Sequence, residues 1–178
     1  MKHLIIPAGL IIVIWVASCK PTDPMHTQIG DQNKALLEKF TQAIINDDST
    51  QLMNLIADDY MRYGPAISDS VNKDQFIAMV KSWQEWGMTI TPNRVARLTF
   101  SSSETIPTEL VEGDWVFWWG QITATFKDGS PSATVNYHEA VKVVNNQISR
   151  DHIFWDYADY AIQRGYKLVA PGDSSSSN

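Results

Sequence analysis

Apolar residues return at helical spacing in the first part of the chain. Leu36, Leu37, Phe40, Ala43 and Ile44 fall on one face of an amphipathic helix over residues 34–46. Asp47-Asp48-Ser49 breaks that period and can cap a second, shorter helix built on Leu52, Leu55 and Ile56 and ending near Asp58. Residues 60–63 read as a short extended piece, closed by Gly64-Pro65. A third helix starts at Asn72, whose side chain caps it, with Gln75 as the reciprocal partner of a capping box. Phe76, Met79, Val80 and Trp83 form its apolar stripe, and Gly87 stands just past its end.

After Gly87 the period changes from helical to two. Ala96, Leu98 and Phe100 alternate with Arg97, Thr99 and Ser101. Further strands are predicted over residues 114–126, 133–144 and 148–156, turned by Asp128-Gly129 and Asn145-Asn146. A short helix then ends at Gly165. Helices first and an antiparallel meander second predict the α+β class.

Three helices ahead of a long antiparallel sheet, with a C-terminal stretch reading Gln147-Ile148, Trp155-Asp156-Tyr157 and Gln163-Arg164-Gly165, resemble a known family. It is the SnoaL-like polyketide cyclase and ketosteroid-isomerase-like group of the nuclear-transport-factor-2-like superfamily. The resemblance covers nearly all of the domain. It implies a cystatin-like α+β barrel: a cone-shaped, curved antiparallel sheet whose concave face is closed by three N-terminal helices around a pocket. Members include isomerases, dehydratases, cyclases, epoxide hydrolases and binding modules, and the outer sheet face often forms a dimer.

Hairpin geometry says which residues share a face, because side chains alternate along a strand. With Asn145-Asn146 as a two-residue turn, Val143 stands opposite Ile148, Val141 opposite Arg150, Glu139 opposite His152, Tyr137 opposite Phe154 and Val135 opposite Asp156. With Asp128-Gly129 as another, Val116 stands opposite Val141, Trp118 opposite Glu139, Gly120 opposite Tyr137 and Ile122 opposite Val135. The shared face is apolar, with Glu139, Arg150, His152 and Asp156 set into it, as in a small-molecule pocket. The opposite face carries Trp115, Phe117, Trp119, His138, Asp151 and Trp155. Exposed aromatic patches mark interfaces, so a homodimer through Trp115, Phe117, Trp119 and Trp155 is expected; cover by a chain terminus is the alternative.

Asp156 ends the last strand, where SnoaL-like enzymes often carry an acid/base Asp. A carboxyl in an apolar cone has a raised pKa, which suits proton transfer near neutral pH. Asp156 can equally cap the helix that follows. Glu139 and His152 would pair across strands and tune a general base, or form a mutually satisfied buried pair. Arg150 could hold an anionic substrate group or pair with Glu139. Tyr60, Tyr63, Trp83, Trp118, Tyr137 and Phe154 are candidate pocket walls, or core aromatics. The chain has no GxGxxG, Walker A, HExxH or GxSxG pattern. No cofactor is expected. No metal site is expected either, because His138-Glu139 and Asp151-His152 each point to opposite faces.

The chain begins Met1-Lys2-His3 and is then apolar over residues 4–17, shorter than the roughly 20 residues of a spanning helix. Val16-Ala17-Ser18-Cys19 resembles a bacterial lipobox, in which the chain is cut before the Cys and the Cys takes the lipid. An ordinary signal peptide or an uncleaved anchor is the alternative. The expected organisation is a signal peptide over 1–18, a lipidated tether over 19–33, the cone domain over 34–169 and a tail over 170–178. The expected location is the cell envelope, on the outer membrane if the source is Gram-negative, since Lys20 replaces the Asp that favours retention. Of 178 residues, 14 are Lys or Arg and 20 are Asp or Glu, a net charge of −6 that disfavours nucleic acid.

Three functions remain open. The first is binding of a small apolar or aromatic molecule in the cone. The second is a cofactor-free isomerase, dehydratase or cyclase using Asp156, assisted by His152 and Glu139. The third is a non-catalytic part of an envelope complex docking through the outer face. Binding is ranked slightly above catalysis.

Overall fold

The computed structural model describes residues 24–102 and 113–169. The expected signal peptide, Cys19 and the expected tail lie outside the described residues.

Helix α1 spans Pro24–Ile45 and begins well before its apolar stripe. Proline suits the first turn of a helix, and none recurs before Pro65. The added turns are polar, so periodicity does not reveal them. They pack closely: a Cβ on Gly30 would stand 2.8 Å from Thr99 Oγ1. Helix α2 spans Ser49–Leu55 and is capped by Asp48, which accepts from the Gln51 amide. Helix α3 spans Lys73–Glu85 and carries the expected capping box, with both Asn72–Gln75 bonds at 3.0 Å.

Six strands form one curved sheet in the order β2-β1-β6-β5-β4-β3. They are β1 (Ile56–Tyr63), β2 (Ser70–Asn72), β3 (Met88–Ser102), β4 (Gly113–Phe126), β5 (Ala133–Val144) and β6 (Gln147–Trp155). The α+β class and the cone fold are as expected. The sheet is mixed, however, because β1 runs parallel to β6. Strand β1 also takes residues expected to end the second helix, and β2 is an added edge. Strand β3 tolerates Pro92 because it lies at the other edge. Helices α1 and α3 cover the concave face, where Phe40 stacks on Phe76 at 5.7 Å. Leu37, Phe40, Leu52 and Phe76 are wholly buried there.

The β4–β5 register is the expected one, from Val116 opposite Val141 to Ile122 opposite Val135. The β5–β6 register is not. Val143 pairs with Ile148, but Lys142 pairs with Arg150, so Ser149 is an extra residue in β6. A β-bulge of this kind changes the parity of everything beyond it. Glu139 therefore faces Ile153, and Ala140 faces His152. Asp151, Ile153 and Trp155 turn inward, while Arg150, His152 and Phe154 turn outward. The expected inward placement of Arg150, His152 and Phe154, and the outward placement of Asp151 and Trp155, are thereby corrected. Asp156 lies past the last ladder pair, is exposed, and accepts from the Asp159 amide at 2.9 Å as the cap of α4 (Tyr157–Gln163).

Candidate functional site

Alternation in β1 turns Tyr60 and Arg62 to the concave face, and parallel pairing sets Arg62 beside Asp151 of β6. Tyr137 and Glu139 come from β5, two residues apart and so on the same face. These five side chains converge on the cone floor. Arg62 Nη1 lies 2.8 Å from Asp151 Oδ2 and 3.7 Å from Glu139 Oε1. Arg62 Nη2 donates to the Tyr137 hydroxyl at 3.0 Å, and that hydroxyl donates to Glu139 Oε1 at 3.0 Å. The Tyr60 hydroxyl donates to Asp151 Oδ2 at 3.1 Å. Phe76 closes one side, with the guanidinium 5.0 Å from its ring centre. Trp118 closes another, its ring 5.0 Å from that of Tyr137.

Two carboxyls share one cation in this space. Burial raises the pKa of both, and repulsion from Asp151 pushes Glu139 up to about 8. Glu139 Oε2 and Asp151 Oδ1 are buried without a hydrogen-bond partner, so each is an oxygen on which a proton can sit. At neutral pH Glu139 thus keeps its proton, while Arg62 bonds directly to the Asp151 carboxyl. Burial also raises both phenols, keeping Tyr60 and Tyr137 protonated as donors. Asp151, Glu139, Arg62 and Tyr137 are all buried.

Of the residues singled out from sequence, Glu139, Tyr137, Trp118 and Tyr60 meet at this floor. Trp83 is partly buried against the core. Asp156 and His152 do not join Glu139. His152 stacks with Tyr63 on the outer face at 4.9 Å, and Tyr63 therefore does not reach the cone. Arg62 and Asp151 were not foreseen as site residues. The alternation Tyr60-Met61-Arg62 could have placed Arg62 with Tyr60, but nothing local announces the parallel partner strand. No group of three metal-type ligands occurs among the described residues.

The outer face carries a continuous run of rings. Trp119 stacks on His138 at 4.7 Å, His138 on Phe154 at 5.7 Å, and Phe117 on Trp119 at 5.7 Å. Trp119 and Phe154 are 41 % and 53 % exposed. Trp155 is absent from this run, packing instead with Tyr157 and Tyr160.

A curved sheet wrapped on helices is an arrangement found in solved structures. An NTF2-like protein from Burkholderia xenovorans superposes with a TM-score of 0.58 at 14% identity, over 76% of this chain and 97% of its own. The fold is NTF2-like. An LEH-like epoxide hydrolase of M. tuberculosis matches this chain with a TM-score of 0.57 at 12% identity, over 76% of this chain and 91% of its own. A protein of ketosteroid isomerase-like fold from Catenulispora acidiphila, solved with trimethylamine, matches with a TM-score of 0.52 at 15% identity, over 74% and 93%. No protein-family model matches the sequence, and no curated protein does.

Proposed function

We propose that this NTF2-like chain is a cofactor-free acid–base enzyme acting on a small, largely apolar molecule at the cone floor. The observation that carries the reading is the buried pair of Glu139 and Asp151 beside a single arginine. The pair supplies an acid, protonated Glu139, and a base, Asp151, within one apolar space. Tyr60 and Arg62 orient the base through two bonds to the same oxygen. Tyr137 links Arg62 to the acid and can donate to a substrate oxygen that displaces Glu139. Isomerisation, dehydration and addition of water to a strained ring all need this combination. Strongly perturbed, mutually coupled carboxyls favour chemistry over structure, because removing both charges from the core would relieve the desolvation cost. Asp156, exposed and engaged as a cap, gives way to Asp151 in this reading. The ranking of binding over catalysis also changes, because the buried acid, base and arginine supply proton-transfer groups that a purely apolar binding site does not need.

The test is turnover by the full chain in detergent of a panel of small apolar epoxides, enones and hydroxy-ketones, followed by mass spectrometry. Activity on one class is expected, falling at least 100-fold in both Asp151→Asn and Glu139→Gln. Turnover that survives both variants would overturn the assignment, as would a fully inert panel.

Two further proposals concern placement and assembly. The lipobox-like Val16-Ala17-Ser18-Cys19 supports lipid anchoring through Cys19 in the envelope. The ring-covered outer face supports a homodimer through Trp115, Phe117 and Trp119, with Phe154 and His138 in place of Trp155.

A further inference from the structure

Arg150, turned out of the cone by the Ser149 bulge, ends at a cavity of about 350 Å³ on the outer side of the sheet. The cavity has a clear origin in the strand ladder. Strands β1 and β6 pair at Ile56 with Ile148 and again at Met61 with Arg150. Residues 57–60 of β1 therefore stand against Ser149 alone, and β1 bows away from its neighbour. The space so opened is lined by Ala57, Asp59, Lys142, Val144, Gln147 and Arg150, among others.

Its chemistry is distinct from that of the cone floor. Lys142 and Arg150 are register partners on adjacent strands, and both line the cavity, with the Lys142 side chain extending toward Gly113 of β4. Arg150 is held in place rather than waving in solvent. Its Nη1 donates to the carbonyls of Asp59 and Ser149, each at 2.8 Å. The Asp59 carboxylate lies at the rim, 3.8 Å from the same nitrogen and largely exposed. Lys142 makes no ion pair among the described residues. One carboxylate against two cations leaves a local excess of positive charge in a chain of net charge −6. Ala57 and Val144 add apolar wall. A concave space of this size with a few placed polar groups is the usual form of a small-ligand site, and a wall carrying a fixed guanidinium and an ammonium favours an oxyanion.

We propose that this cavity binds a small organic anion carrying one carboxylate or phosphate group, with Arg150 and Lys142 as its anchors. The site is independent of the acid–base cluster and stands whether or not that cluster is catalytic. Inorganic phosphate and acetate serve as probes, titrated into the full chain in detergent micelles at constant ionic strength, with chloride as control. Amide and side-chain NMR shifts at Lys142, Gln147 and Arg150 are expected to saturate with one of the two probes. Whichever saturates names the anion class. In Lys142→Gln/Arg150→Gln the apparent affinity is expected to fall at least tenfold, with an unchanged melting temperature as the folding control. Shifts that drift linearly with both probes, or that saturate equally in the double variant, would overturn the proposal.

Discussion

Glu139 is a buried acid without a close cation of its own. Arg62 stands 2.8 Å from Asp151 but 3.7 Å from Glu139, so the guanidinium stabilises one carboxylate and leaves the other to keep its proton. This has a measurable consequence. Glu139 is raised from 4.5 to about 8, so between those values the folded chain holds a proton that the unfolded chain has released. Its stabilising contribution is complete below about 4.5 and is lost as pH rises through about 8. Asp151, also raised by burial, acts in the same direction. His138 and His152 act oppositely below 6.5, because burial lowers both and the unfolded chain takes up their protons first. The comparison must therefore be between wild type and Glu139→Gln. Wild-type stability in urea is expected to fall between pH 6.5 and 8 by up to about 1 kcal/mol per pH unit, and Glu139→Gln is expected to flatten that slope. Equal slopes would show that Glu139 is ionised in the fold. At this scale the sequence was partly legible. Alternation along β5 placed Tyr137 and Glu139 together, but their cation sits on β1, and no local pattern names a partner so distant in the chain.

Among the elements, helix ends were the most legible features. The Asn72–Gln75 capping box needs only residue types at a fixed spacing, and it forms as expected. Asp48 and Asp156 likewise cap the helices that follow them. Register was less legible. The Asp128-Gly129 hairpin could be paired by counting, whereas the Ser149 bulge could not, because both alternating series in β6 contain apolar residues. Gly64 ends β1 at a φ of +94°, and a Cβ there would fall on the Ile153 carbonyl oxygen. Backbone cannot yield as a flexible side chain can. Asn72→Ala is thus expected to cost about 1 kcal/mol, a lost cap, and Gly64→Ala distinctly more, through positive φ and collision together. Chemical denaturation of the two variants checks the order; a Gly64→Ala chain as stable as Asn72→Ala would contradict the close approach.

For the whole molecule, the two faces of the sheet divide the aromatic residues between a crowded cone and an exposed array. Membrane placement and assembly can be tested together. Cys19→Ser is expected to leave the chain unlipidated and extractable without detergent, and sedimentation of that protein is expected to give a dimer that Trp119→Lys reduces to a monomer. Membrane retention of Cys19→Ser would exclude a lipid anchor, and a monomer before the second substitution would exclude the dimer. Local chemistry decided the helix caps, the change of period at Gly87, the α+β class and the inward Tyr137 and Glu139, because each depends on residues near one another in the chain. Only the tertiary structure decided which charges meet. The parallel pairing of β1 with β6 brought in Arg62, and one bulge residue exchanged Asp151 for His152 at the floor of the cone. Those outcomes depend on how strands far apart in the chain fit together, and a single added residue reverses every face beyond it.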